Sequence, residues 1–246
     1  MQSRAAKVAV LSLTSPAPAP IRRAGLQPAL WLLALSLAGV ALFIAAELLE
    51  GDSFGFDRTI LQALRQPGHP DIPIGPAWLE QSAVDISAMG GFTLITLFGG
   101  FGVAFLLALR RRMEAGWIGI ALVGATLLSA GLKQWLHRPR PELVPHLARV
   151  TSLSFPSGHA MVSSAVYLTL AIMLGEAQPA LRRYFVGLAV TLVVLIGCTR
   201  IYLGVHWPSD VLAGWALGSA WALAVYALKH RIGAQDPVSD QQFTKR

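Results

Sequence analysis

The chain has 246 residues, of which 54% are hydrophobic and 13% charged, with a formal net charge of +7. Ordinary globular proteins carry about a quarter charged residues, so this composition points away from a soluble domain and toward one integral membrane unit. The surplus of base falls in short groups between apolar runs rather than along one polar face, which argues against a nucleic-acid surface.

Residues 1–26 contain Arg4, Lys7, Arg22 and Arg23. Their apolar stretch, 8–13, is too short for a secretory signal core and is followed at once by Pro16, Pro18 and Pro20. They are read as a mobile cytoplasmic tail. The first span follows at 28–49, since about 20 mostly apolar residues cross a bilayer. A long loop then carries Glu50, Asp52, Asp57, Asp71, Glu80 and Asp85 against Arg58 and Arg65. Within it Phe56, Ile60, Leu61 and Leu64 have helical spacing, Pro67 to Pro76 is turn-prone, and a second short helix is expected over 78–89. These interfacial helices either cap the bundle or guide a lipid head group.

Five more spans are expected at 91–109, 115–132, 159–175, 184–199 and 211–228, giving an all-α bundle of six membrane helices over residues 27–232. Gly214 and Gly218, four apart in the last span, suit close helix packing within the bundle. The polar segment 233–246 is read as a second cytoplasmic tail. Cys198 is the only cysteine, which rules out an internal disulfide and leaves packing as its expected role.

Arg110 to Arg112, Arg182 with Arg183, and Lys229 with Arg231 stand at alternate span ends, as does the basic group before the first span. The positive-inside rule therefore places both termini in the cytoplasm and the 50–90 loop outside. The segment 133–158 also falls outside although it holds Lys133, Arg138, Arg140 and Arg149. Binding an anion accounts for that local exception.

Three separated segments at this same end carry the unusual polar chemistry. The first runs from Lys133 to Arg140 and Pro141, the second is Pro156, Ser157, Gly158 and His159, and the third runs from Arg200 through His206 to Asp210. Ser157 is placed to cap a helix, whose first amides also favour an anion. Pro208 suits the first turn of the last span, so Asp210 can reach back to one nitrogen of His206, fix its tautomer and leave the other nitrogen free as a nucleophile. Lys133, Arg140 and Arg200 balance a phosphate's charge, with Ser157 and the Gly158 amide adding hydrogen bonds. His137 and His146 do not form a recognised metal pattern, and the neighbouring cations would repel a metal. No metal or other cofactor is expected. His69 and His230 are read as solvent or interface residues, and Arg138 and Arg149 as candidate contacts to a lipid head group.

These segments resemble the three-part signature of the type 2 phosphatidic acid phosphatase family. In it a lysine, six residues and Arg-Pro are followed by Pro-Ser-Gly-His, then Ser-Arg, five residues, His, three residues and Asp. The match is residue for residue except for Thr199 where serine is usual, and it covers the chain from about Lys133 onward. The resemblance implies a metal-independent phosphatase in which His206 attacks phosphorus, Asp210 supports it, and His159 protonates the leaving oxygen and then activates water. It implies that Lys133, Arg140, Arg200, Ser157 and Gly158 hold the phosphoryl group. The expected partner is a membrane lipid phosphate at the outer face of a bacterial inner membrane. Undecaprenyl diphosphate is favoured over phosphatidylglycerol phosphate, phosphatidic acid and lipid A. A lipid or phosphate transporter using the same groups is the alternative of another class, although simple binding does not require two histidines and an aspartate. Vanadium-dependent haloperoxidation, a third possibility, fits poorly with six spans.

Overall fold

The computed structural model describes residues 26–51 and 54–233. Both expected tails lie outside the described residues except at their inner edges, where residue 26 opens the first helix and residue 233 closes the last. Eight helices and one hairpin make up the described residues: α1 (Leu26–Leu49), α2 (Gly55–Ala63), β1 (Arg65–Gln66), β2 (His69–Pro73), α3 (Ala77–Ala88), α4 (Phe92–Ala108), α5 (Arg112–Leu136), α6 (Gly158–Ala177), α7 (Arg182–Tyr202) and α8 (Pro208–Gly233). A 3-10 turn, Pro179–Leu181, joins α6 to α7.

Five of these helices are long and apolar enough to cross a membrane on their own, the fourth of them counted with the 3-10 turn. The expected second span is different. α4 has only 17 residues, and it reaches spanning length only together with α3, from which it is bent by 54° across residues 89–91. Gly90 and Gly91 sit at that break, so the apolar run that reads as one span is a helix too short to cross alone, joined to α3 at a sharp bend. The turn-prone proline stretch is the other departure, because it folds as a two-stranded antiparallel hairpin with Gln66 opposite His69.

α6 lies at the centre, packed against α4, α5, α7 and α8, while α1 leans chiefly on α8. Its position explains its composition. Ser163 and Ser164 on α6 are fully buried and donate to the carbonyl of Ala160, which satisfies their hydroxyls inside the bundle. On α1, by contrast, Ala34, Ala41, Ile44 and Ala45 face the bundle and Leu32, Leu35, Leu42 and Phe43 face outward. Small residues allow α8 to approach the α6 backbone closely: a Cβ on Gly218 would collide with the carbonyl oxygen of Met161, and one on Gly214 would stand 2.9 Å from that of Ser157. The glycine pair therefore brings α8 against α6, as expected. Cys198 does not pack as expected; it lies exposed on the face of α7 turned away from the bundle.

The alternation of the long helices gathers the end of α5, the starts of α6 and α8, and the end of α7 at one end of the bundle. α2 packs there on α8, and α3 packs on α7.

Candidate active site

α5 stops at His137, whose left-handed φ of 50° turns the chain into the loop 138–157. One turn earlier, the Lys133 ammonium donates to the carbonyls of Leu153 at 2.6 Å, Pro156 at 2.8 Å and Ser154 at 3.4 Å. It braces the segment that delivers Ser157 and His159. Ser157 stands at the N-cap position of α6, yet its hydroxyl makes no capping bond and is buried without a partner among the described residues. Its backbone N–H instead donates to the carbonyl of Asp210 at 3.1 Å, tying the start of α6 to that of α8. A Cβ on Gly158 would make ordinary contact with Ser129 and Lys133, so packing alone does not demand glycine there.

His159, in the first turn of α6, lies within electrostatic reach of Arg200, His206, Arg140 and Lys133. It packs against the break between α3 and α4, where a Cβ on Gly90 would come within 3.2 Å of its ring. Arg200, in the last turn of α7, is buried and donates to the Ser87 hydroxyl of α3 at 2.6 Å. The bent pair thus contacts two of the residues singled out in the sequence. Thr199, the departure from the family pattern, donates to the carbonyl of Ile196 in its own helix.

Between α7 and α8 the chain reverses at Gly204, whose φ is +72° and whose added Cβ would meet Arg65, Val144 and Pro145 at 2.8 to 2.9 Å. Only glycine fits that turn, and the turn carries His206 into the interior. There Nδ1 of His206 lies 3.4 Å from Oδ2 of Asp210, four residues on, as the spacing predicts. Nε2 lies 3.2 Å from Nη1 of Arg140. A guanidinium only donates, so Nε2 accepts, and the ring proton is on Nδ1 facing the carboxylate. Burial pushes the His206 imidazole down to about 3, reinforced by Arg140 and Arg200 and opposed by Asp210, so the ring is neutral near pH 7. Burial likewise lowers Arg140, with Asp210 opposing. Arg140 is held in place by the carbonyls of Ser152 at 2.7 Å and Val205 at 2.5 Å.

The eight residues singled out from the sequence therefore lie at one end of the bundle, on the ends of four helices and the loops between them. Sequence reasoning missed several that complete the surroundings. Ser154 donates to Oδ2 of Asp210 at 2.5 Å. Arg138, read from the sequence as a candidate contact to a lipid head group, points inward and bonds Oδ1 of Asp210 at 2.5 Å. Asp57, counted among the acids of a loop, is buried and pairs with Arg138 at 2.8 Å. Only the proximity of Arg138 to the lysine and arginine of the first segment signalled it; nothing signalled Asp57. His146 bonds the carbonyl of Pro141 at 2.7 Å.

A profile of the PAP2 superfamily matches residues 114–234. The chain is 35% identical over 149 residues to phosphatidylglycerophosphatase B of Bacillus subtilis, covering 57% of this chain and 70% of that one. It is 32% identical over 190 residues to lipid A 1-phosphatase of Rhizobium johnstonii, covering 66% and 75%. Its fold matches the crystal structure of a transmembrane PAP2-type phosphatidylglycerolphosphate phosphatase from Bacillus subtilis with a TM-score of 0.71 and 28% identity, over 81% of this chain and 96% of that one.

Proposed function

We propose a reaction for this chain on the premise that it belongs to the PAP2 superfamily and is a lipid phosphate phosphatase embedded in a membrane. Nε2 of His206 attacks phosphorus while the bond to the lipid oxygen breaks. His159 gives that oxygen its proton, and the Nδ1 proton of the resulting phosphohistidine stays toward Asp210. Water, deprotonated by His159, then attacks the phosphohistidine; the P–N bond breaks, inorganic phosphate leaves and both histidines are restored. Arg140 and Arg200, with Lys133, Ser157 and Gly158, balance and hold the equatorial oxygens.

The observation that carries this reading is the pair of contacts on His206. A neutral ring with its proton toward Asp210 and its lone pair toward a guanidinium has a nucleophilic nitrogen already directed at an anion-binding group. A transporter has no need of that arrangement.

For the substrate, the phosphatidylglycerol phosphate class is favoured by the named Bacillus subtilis relative and by the solved structure. Undecaprenyl diphosphate, preferred on sequence alone, is the second arm of the test because the site chemistry recognises a terminal phosphate rather than its lipid. The site is assigned to the outer face of a bacterial inner membrane, with cytoplasmic termini. Arg110, Arg111, Arg112, Arg182, Arg183, Lys229 and Arg231 support that orientation, since helix alternation sets them at the end opposite the site.

Phosphate release by the purified protein, in detergent and excess chelator, tests the reading across phosphatidylglycerol phosphate, undecaprenyl diphosphate, phosphatidic acid and lipid A. Release fastest from phosphatidylglycerol phosphate is expected. Release from none of them, by protein that is folded, would refute it.

A further inference from the structure

We propose that Asp57 and Arg138 are a positioning pair that sets Asp210 behind His206, so that the segment between α1 and α3 belongs to the catalytic machinery. The proposal rests on the roles of His206 and Asp210 given above.

Asp210 has two oxygens with separate tasks. Oδ2 faces Nδ1 of His206 and accepts from the Ser154 hydroxyl and, at 3.0 Å, from the Trp207 backbone. Oδ1 is held by Nη1 of Arg138. Without that second anchor only the Ser154 and Trp207 contacts to Oδ2 resist rotation of the carboxylate away from the imidazole. Arg138 is held in turn: Nη2 bonds Oδ2 of Asp57, Nη1 also bonds the Ser209 hydroxyl at 2.8 Å, and the guanidinium lies 5.4 Å from the Trp207 ring centre. The planar fork of arginine spans two carboxylates in a way that a lysine point charge does not.

Asp57 completes the arrangement from α2. It accepts the Ser209 backbone N–H at 2.8 Å and the Ser209 hydroxyl at 2.6 Å. Ser209 is the second residue of α8, so a carboxylate from a distant segment satisfies an amide that the helix itself leaves unpaired. The same carboxylate therefore fixes both the start of the helix that bears Asp210 and the arginine that aims it. Asp57 is 1% exposed and stands 57 residues before the start of the matched PAP2 region at residue 114. Two carboxylates around one guanidinium leave one negative charge, and it faces His206. The other charged or titratable groups within electrostatic reach of His206 are Arg140, Arg200 and His159.

The experiment compares wild type with Arg138→Gln, Arg138→Lys, Asp57→Asn, Asp210→Asn and the double variant Arg138→Gln with Asp210→Asn. It measures kcat, KM and competitive inhibition by inorganic phosphate, each per folded enzyme. Losing a charged contact that orients a reacting group is expected to lower kcat roughly 10- to 100-fold in Arg138→Gln and Asp57→Asn. KM and phosphate inhibition should stay within about twofold, and Arg138→Lys should recover part of the loss. Because Arg138 acts through Asp210, the double variant should be no slower than Asp210→Asn alone.

Losses that multiply in the double variant would overturn the proposal, as would unchanged kcat or a loss confined to phosphate binding. If Arg138→Gln does not fold, Asp57→Asn combined with Asp210→Asn supplies the same cycle. Wild type that releases no phosphate overturns the functional reading and this proposal together. Wild type that is active and needs His206, with positioning variants at full kcat, overturns this proposal alone.

Discussion

The Lys133 ammonium is bonded to the carbonyl of Pro156 across 23 residues of sequence, at 2.8 Å, and to that of Leu153 at 2.6 Å. A residue that looks from its motif like a simple phosphate ligand also holds the loop that presents Ser157 and His159. Hydrogen bonds to a charged group contribute about 1.5 to 3 kcal/mol each, so Lys133→Met should destabilise the protein by about 3 kcal/mol as well as slow it. A thermal midpoint in detergent equal to that of wild type, with activity lost, would confine Lys133 to phosphate binding.

Gly90 lies between Ile196 and His159, and a Cβ there would collide with Cγ2 of Ile196. Gly90→Ala must therefore displace α3 or α7, moving Ser87 away from Arg200 or shifting the His159 ring. Misplacing catalytic groups by about 1 Å costs about 100-fold, so turnover should fall by roughly one to two orders of magnitude. Wild-type turnover in this variant would show that the break between α3 and α4 has no bearing on the site.

The low affinity of His206 for a proton makes stability depend on pH. Its pKa falls from 6.5 to about 3 on folding, so between those values the unfolded chain binds a proton that the folded chain excludes. That contribution is present above pH 6.5 and is lost as pH falls toward 3, at no more than about 1.4 kcal/mol per pH unit. The thermal midpoint of wild type should fall more steeply from pH 6.5 to pH 4 than that of His206→Gln. Parallel curves would mean that the ring is not held neutral.

Orientation is open to a chemical test. In a Cys198→Ser background, Arg149→Cys should react with an impermeant thiol reagent added to intact cells, since residue 149 is exposed at the site end. Reaction only after lysis would put the site on the cytoplasmic side.

The membrane bundle and the gathering of the eight candidate residues at one of its ends were legible in the sequence for different reasons. Apolar length marks α1, α5, α6, α7 and α8, and the spacing from His206 to Asp210 survives in three dimensions because a helix start brings residues four apart together. Legibility fails where contacts are distant or local chemistry is ambiguous. Asp57 is one acid among six in a polar loop, and only the fold brings it to Ser209 and Arg138, 81 residues further on for the arginine. The bend between α3 and α4 was hidden because the apolar run of α4 hides how short that helix is, while α3 reads as a surface helix. The hairpin at β1 and β2 was missed because His69 to Pro73 has neither the alternation nor the β-branched content that marks a strand.

The proposed reaction stands on a covalent phosphate at His206. Brief turnover of a lipid carrying radiolabelled terminal phosphate, quenched in alkali, where phosphohistidine survives, would be followed by separation of protein from lipid and mapping of the label. Label is expected on the peptide containing His206 in wild type, and none in His206→Ala. Phosphate release by wild type with no labelled protein, or label that persists in His206→Ala, would contradict the covalent route.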